Sequence, residues 1–227
     1  MELLNELEKD IRYIEGLNAC INCGTCTAIC PAAAVSDYDP RVIVETVQRK
    51  KESEIKQLLE TNSIWYCGEC LSCKTRCPRD NTPGYIIQAL RSLSIKTGLF
   101  IKSEEGQKQL AIKRTVGDHI LKYGYCVYID EVNTDMYPEQ GPVWDWLKQK
   151  KEEVLKRLGT SYKKDKSGCL RNTSDESLND LKRIFDETGA TKYFEIIEEL
   201  SANHAKDIGI EFNEGRDDYF NSLYDNK

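Results

Sequence analysis

The sequence predicts a mainly α-helical protein. Apolar residues recur at intervals of three and four along several stretches, as they do on the buried face of a helix. The clearest stretch follows Pro83 and carries Ile86, Ile87, Leu90 and Leu93. Two groups of cysteines lie in loops between such helical stretches, and not between paired hairpin strands.

Composition limits the possible functions. The 227 residues are enough for one or two domains, and 40% of them are apolar and 31% charged. The 32 basic and 38 acidic side chains give a net charge of −6, which disfavours general nucleic-acid binding. No apolar run is long enough to cross a membrane, and the acidic N-terminus does not resemble a secretory signal. We therefore expect a cytoplasmic protein with no membrane span.

Eight of the ten cysteines form two groups with one pattern, C-x2-C-x2-C-x3-C followed by proline. The first group is Cys20, Cys23, Cys26 and Cys30, and the second is Cys67, Cys70, Cys73 and Cys77. Each cysteine of the second group follows its counterpart in the first by 47 residues, as Cys67 follows Cys20. This run is typical of ferredoxins with two [4Fe–4S] clusters, in which the fourth cysteine binds the other cluster.

We therefore expect two [4Fe–4S] clusters as cofactors. The first would be held by Cys20, Cys23, Cys26 and Cys77, and the second by Cys67, Cys70, Cys73 and Cys30. Gly24 and Gly68 are expected to let backbone N–H groups approach the cluster sulfur. Structural zinc is the alternative, because paired C-x2-C motifs are its commonest signature. Zinc takes its four ligands from two such pairs, whereas each group here continues with a third and a fourth cysteine before the proline.

The loops with these cysteines separate four predicted helical segments. We expect an amphipathic helix over residues 2–15, a helix from Pro40 to about residue 51, a second piece around 55–59, and a helix from Pro83 to about 98. The fold class is thus an α-helical two-cluster [4Fe–4S] ferredoxin with a helical C-terminal extension.

The extension is also predicted to be helical. We expect a helix over 103–123, a short strand or extended segment over 125–130, a helix from Pro142 to Gly159, a polar linker over 159–177, and two further helices. The predicted domains are 1–100, the ferredoxin domain; 101–160, a helical extension packing on the core or a partner; and 161–227, a linker with helices that dock to a partner.

We expect no catalytic site in this chain. It has no G-x-G-x-x-G motif and no P-loop, and its two histidines, His119 and His204, are expected to be structural or solvent-facing. Cys126 lies in an apolar run and is expected to be a buried hydrophobic residue. Cys169 lies in a polar stretch and is expected to be an incidental free thiol.

The two cysteine groups, their spacer of about 36 residues and their helical setting resemble the C subunit of heterodisulfide reductase. A second segment, residues 136–144, with the sequence MYPEQGPVW, resembles the C subunit of heterodisulfide-reductase-like complexes in sulfur-oxidising bacteria. The resemblance implies an electron-transfer protein that passes single electrons between a flavin-bearing A-type subunit and a cysteine-rich B-type subunit. It also implies a role in oxidising sulfur carried on a lipoate-binding protein.

Other interpretations of the sequence stay open. The chain could be the iron–sulfur subunit of another multi-subunit dehydrogenase or quinone-linked complex, or a free ferredoxin that shuttles between enzymes. A structural metal module that binds protein or nucleic acid is the non-redox alternative, and the acidic net charge disfavours it.

Overall fold

The structure, a computed structural model, describes residues 2–134, 137, 140–213, 215 and 217–224. Its first α-helices are α1 (Leu3–Leu7), α2 (Ile11–Gly16), α3 (Thr25–Ala28), α4 (Pro40–Gln48), α5 (Glu52–Leu59), α6 (Pro83–Lys96), α7 (Glu104–Gln107) and α8 (Gln109–Ile112). The later ones are α9 (Asp118–Tyr123), α10 (Gly141–Gln149), α11 (Lys151–Arg157), α12 (Asp175–Thr188), α13 (Ala190–Asp207) and α14 (Asp218–Tyr224). Short 3-10 turns occur at Ala32–Ala34, Asn62–Trp65, Lys74–Arg76 and Leu99–Lys102.

The described part of the chain contains no β-strand, which confirms the predicted helical class. It divides into two compact units. One comprises residues 1–109 and 195–227 and contains both cysteine groups, and the other comprises residues 110–194. No helix in the described residues has both the length and the apolar character that a membrane crossing requires.

Helix α6 is the centre of the first unit. Apolar side chains of α1, α2, α4 and α5 pack with it into one core. The helix lies very close to α2, because a Cβ atom added at Gly16 would be 3.0 Å from Ile86 Cγ1 and 3.2 Å from the Thr82 carbonyl oxygen. The Thr82 N–H also donates to the Gly16 carbonyl oxygen at 2.8 Å. This packing holds the two ends of the cysteine-containing region together.

The helices that begin at prolines agree with the sequence prediction. Helix α4 begins at Pro40, and the Asp39 carboxylate accepts the N–H groups of Arg41 and Val42 as an N-cap. Helix α6 begins at Pro83. A proline fixes φ near the helical value and has no N–H to leave unpaired in the first turn, so it favours helix initiation.

The predicted helix over residues 2–15 is broken into α1 and α2. Asp10 between them accepts the Arg12 N–H and caps a new helix. Because of this break, the second half of the expected apolar stripe faces away from the core. Ile11 and Ile14 are exposed, while Leu7 is buried. A capping side chain thus outweighs the apolar repeat at this position.

The predicted helix over 103–123 is also divided, into α7, α8, a π-helical turn at Lys113–Gly117 and α9. Residues 125–130 form bends and turns instead of a strand. Tyr128 stacks on Tyr123 with ring centroids 4.1 Å apart, and this contact folds the segment back on α9.

The prediction that Cys126 is buried is wrong, because the side chain is exposed. A segment that folds back by aromatic stacking leaves alternate residues outside the contact. The helix predicted from Pro142 to Gly159 is present as α10 and α11, and no helix is described between Arg157 and Asp175. Met136, Pro138 and Glu139 of the resembling segment lie outside the described residues.

Candidate iron–sulfur sites

The eight repeated cysteines line two neighbouring cavities. Cys20, Cys23, Cys26 and Cys77 line the first cavity, and Cys30, Cys67, Cys70 and Cys73 line the second. Each cavity is therefore lined by three cysteines from one group and the fourth from the other. Pro83 at the start of α6 lines both cavities and is a wall that they share.

The backbone curls around each cavity through left-handed residues. Asn22 and Gly24 have φ values of 59° and 79°, and their counterparts 47 residues later, Glu69 and Leu71, have values of 53° and 57°. Only one of these four residues is glycine, so the left-handed backbone conformation is locally unfavourable in free energy at the other three. Gly24 adopts its positive φ without the strain that a side chain would bring. Gly68 lines the second cavity, and its expected role of admitting N–H groups to the cluster sulfur stays a prediction.

Hydrogen-bond donors surround the sulfur atoms in both loops. The Asn22 N–H donates to Cys20 Sγ at 3.4 Å. Thr25 Oγ1 and Cys23 Sγ form a hydrogen bond of 3.3 Å in which either atom can donate, and at the equivalent position the Cys70 thiol donates to Ser72 Oγ at 3.4 Å. A cysteine that has lost its proton can only accept, so in the thiolate form both hydroxyls become the donors. Such donors stabilise negative charge on sulfur, and iron binds the thiolate form of cysteine.

The cysteine pKa values follow this arrangement. The side-chain hydrogen bond with Thr25 lowers the pKa of Cys23, and the one with Ser72 lowers the pKa of Cys70. Burial raises the pKa of Cys26 and of Cys73, which lie deeper. The Gly84 N–H at the start of α6 also bonds to Cys73, which offsets part of that effect.

Two arginines tie the loops to the helices. Arg41 of α4 lines the first cavity and donates to Asn22 Oδ1 at 2.7 Å. Arg91 of α6 donates to Glu69 Oε1 at 2.6 Å, and Asn22 and Glu69 are equivalent positions of the repeat. Arg91 also bonds to three carbonyl oxygens of the segment that leads into the second loop, those of Ile64, Trp65 and Cys67.

One further side chain reaches each set of cysteines from outside its own loop. Asn81 is buried, and its Nδ2 donates to Cys77 Sγ at 3.7 Å. Tyr38 is also buried and lines the second cavity together with Cys67, and its hydroxyl lies close enough to that thiol for the two groups to affect each other's ionisation. Burial raises the pKa of Tyr38 strongly, and the thiols of Cys67 and Cys30 raise it further, so the phenol keeps its proton.

These donor sets fit [4Fe–4S] clusters better than zinc. A single zinc ion needs its ligands within about 2.3 Å of the metal, so four sulfurs would have to converge on one point. The cysteines are instead spread around cavities, as the four corners of a cubane require, with one thiolate for each iron atom.

Comparison with known proteins agrees with this geometry. Residues 16–81 match the family model described as 4Fe-4S dicluster domain. The C subunit of the ferredoxin:CoB-CoM heterodisulfide reductase of Methanosarcina acetivorans is 36% identical over 195 residues, which cover 85% of this chain and 70% of that protein. The chain belongs to the family of heterodisulfide reductase C subunits.

Other members are more distant. The iron–sulfur C 2 subunit of the CoB–CoM heterodisulfide reductase of Methanocaldococcus jannaschii is 28% identical over 146 residues, covering 62% of this chain and 72% of that protein. The C2 subunit of the H2/formate:CoB-CoM heterodisulfide,ferredoxin reductase of Methanococcus maripaludis is 28% identical over 159 residues, covering 68% and 79%. The C subunit of a heterodisulfide reductase is an electron-transfer protein, and the cofactors of this one are two [4Fe–4S] clusters.

The sequence reasoning missed the side chains that support the cysteines. Arg41, Arg91, Asn81 and Tyr38 carry no motif of their own, and their contacts join residues that are distant in the chain. One signal was present for Tyr38, because Tyr85 follows it by the same 47 residues as the cysteine groups.

Proposed function

We propose that this chain relays single electrons between two partner proteins of a heterodisulfide-reductase-like complex. One partner is an A-type subunit that carries a flavin, and the other is a B-type subunit that carries cysteine-rich iron–sulfur domains. The observation that carries this proposal is the pair of four-cysteine cavities with a common wall at Pro83. Cofactors in neighbouring cavities that share a lining residue can exchange electrons directly.

The ligand sets are part of the proposal. Cys20, Cys23, Cys26 and Cys77 would hold the first cluster, and Cys67, Cys70, Cys73 and Cys30 the second. The lining of the two cavities supports this division. When bound, the clusters supply the electron chemistry, and the chain supplies their position and surroundings.

Each cluster would have its own route to the surface. Cys23 at the first cavity and Cys70 at the second are both exposed, while Cys26 and Cys73 are not. Cys26 and Cys73 also lie close enough for their charges to interact, which supports a short path between the two sites. An electron could therefore enter at one exposed cysteine and leave at the other.

Anaerobic purification from the native cell tests the relay. We expect about eight iron and eight sulfide per chain, two interacting reduced clusters by EPR, and co-purifying flavin and iron–sulfur subunits. Cys23→Ser should remove or alter one cluster, whereas Cys126→Ser, which changes an exposed cysteine outside both cavities, should leave both intact. Bound zinc without sulfide, or a monomer without partners, would contradict the proposal.

The chemical setting we propose is cytoplasmic sulfur oxidation, with sulfur presented on a lipoate-binding protein. The resemblance of residues 136–144 supports it. A second setting is the reduction of a heterodisulfide, because the relatives above are named for the CoB–CoM heterodisulfide. The purified complex separates the two. In the first setting it reduces a viologen dye with lipoate-bound sulfur, and in the second it oxidises reduced dye with the heterodisulfide.

We further propose that the segments after residue 100 dock to partner subunits, with 161–227 as the main docking part and 101–160 packing on the core or a partner. Exposed large apolar side chains support this, among them Val143 and Trp146 of α10 and Ile184 of α12. Ile184→Ser in α12 should weaken recovery of the partners more than Trp146→Ser in α10, without loss of iron in either variant. Recovery of Ile184→Ser equal to wild type would count against docking through 161–227.

A further inference from the structure

The two cavities obtain the same donors from their own loops but different donors from outside them. Thr25 and Ser72 occupy equivalent positions and each lies beside the exposed cysteine of its loop. The outside donors, Asn81 at the first cavity and Tyr38 at the second, are not equivalent positions of the repeat. Asn81 and Tyr38 are therefore buried polar side chains that approach cysteine sulfur differently at the two sites.

Tyr38 is well placed to act on the second cluster. Its side chain is only 4% exposed and lines that cavity together with Tyr66, whose ring meets it edge-to-face at 6.5 Å. These contacts hold the hydroxyl beside Cys67. The counterpart Tyr85 is used differently: its ring lies 5.1 Å from Lys74 Nζ, and it is not among the described residues that line the first cavity.

Asn81 has the corresponding place at the first cluster. Its side chain is 2% exposed, and its Oδ1 accepts the Asn18 N–H at 2.7 Å. That bond orients the amide so that Nδ2 faces Cys77 Sγ. The two donors therefore act on cysteines of different clusters.

We propose that Tyr38 and Asn81 set the reduction potentials of the two clusters independently, Tyr38 through Cys67 and Asn81 through Cys77. Each cluster accepts one electron, from the 2+ to the 1+ core, and no proton is transferred. A hydrogen bond to a ligand thiolate withdraws negative charge from the cluster, so it favours the reduced core, which carries one more electron. Removing the donor therefore makes that cluster harder to reduce. This inference rests on the ligand sets proposed above.

The test is an anaerobic potentiometric titration of the full chain with dithionite, followed by EPR. Tyr38→Phe removes one hydroxyl and keeps the ring. Asn81→Asp removes the Nδ2 donor and keeps the oxygen that accepts Asn18, but it can also add a negative charge. Asn81→Leu removes the donor without that charge, and the two variants must shift the same step for the effect to belong to the hydrogen bond. Tyr85→Phe is the matched control, because it makes the same chemical change at the repeat-equivalent position.

We expect Tyr38→Phe to lower one of the two one-electron steps by about tenfold in its equilibrium constant, which is about 59 mV, and to leave the other unchanged. Asn81→Asp should lower the other step, and Tyr85→Phe should move neither. The inference is overturned if Tyr38→Phe titrates like Tyr85→Phe, or if Tyr38→Phe and Asn81→Asp move the same step. If the Tyr38→Phe protein binds fewer than about eight iron atoms, the test rests on the Asn81→Asp protein. The inference is then overturned if Asn81→Asp shifts neither of the two reduction steps.

The wild-type titration is a separate test of the function. If the wild-type protein does not show two one-electron iron–sulfur reduction steps, the proposed relay function is refuted. Two normal steps that are insensitive to both variants would remove only the role of Tyr38 and Asn81.

Discussion

Replacing Arg91 should release the second cluster more easily than the first. The Arg91 side chain is only 17% exposed and donates to the carbonyl oxygens of Ile64, Trp65 and Cys67 at 2.6–2.7 Å. Arg91→Met keeps most of the apolar stem and removes all of these bonds. The oxygens then lose their partner at the point where the chain enters the second loop.

The size of the effect follows from the number of bonds. A hydrogen bond contributes about 1 kcal/mol net, so three carbonyl acceptors correspond to about 3 kcal/mol. The ion pair with Glu69 is half-exposed and adds little. Since about 1.4 kcal/mol is a factor of ten, cluster release should accelerate about 100-fold if the contacts are lost in the transition state.

The assay is the loss of iron–sulfur absorbance in an anaerobic chelator solution. Arg91→Met should show two phases, one fast phase with half of the amplitude and one at the wild-type rate. The fast phase of Arg91→Lys should have a rate between those of Arg91→Met and the wild type. An ammonium group cannot bond to all three carbonyl oxygens as the planar guanidinium does. Arg183→Met is the control, since that side chain lies in an exposed ion pair. Equal rates for Arg91→Met and Arg183→Met would refute the reasoning.

Three further outcomes are expected. Gly16→Ala should destabilise the first unit by about 1–3 kcal/mol, seen as a lower unfolding midpoint, because its Cβ would meet Ile86 and the Thr82 carbonyl; an unchanged midpoint would contradict the close packing. Cys126→Ser should change that midpoint by less than about 0.5 kcal/mol, since the side chain is exposed, and a larger loss would indicate a buried thiol. Removing both clusters should make residues 17–39 the first site of limited proteolysis, because the thiolate–iron bonds that close this loop are then absent; an unchanged digestion pattern would argue against that coupling.

The features that the sequence predicts are those determined by neighbouring residues. The cysteine pattern, the family and the prolines that begin α4 and α6 are all readable within a few positions. The division of residues 2–15 was not predicted, although the cap at Asp10 is equally local. There the apolar repeat and the cap indicate different structures, and a repeat alone does not show which of the two prevails.

The features that the sequence does not predict depend on contacts between distant positions. Arg91 reaches back 22 to 27 residues to the second loop, and Asn81 bonds to Asn18 63 positions earlier. For Cys126 the sequence predicts burial where the structure shows exposure. An apolar run is buried only if another element packs over it, and the run itself does not show whether one does. Helix packing determines these contacts, and no spacing rule in one sequence encodes them.

The surroundings of the two clusters suit a relay whose steps must stay close in potential. Two clusters of one type with four thiolates each would start nearly equal, so the protein must supply any difference. At the first cavity, Arg41 and Arg79 bring positive charge, which favours the reduced core, although Arg41 also pairs with Asp39. At the second cavity, the proposed effect of the buried Tyr38 hydroxyl near Cys67 is also to favour the reduced core. If the proposed ligand sets hold, we infer that different side chains shift both sites in the same direction, so that each potential can be adjusted separately.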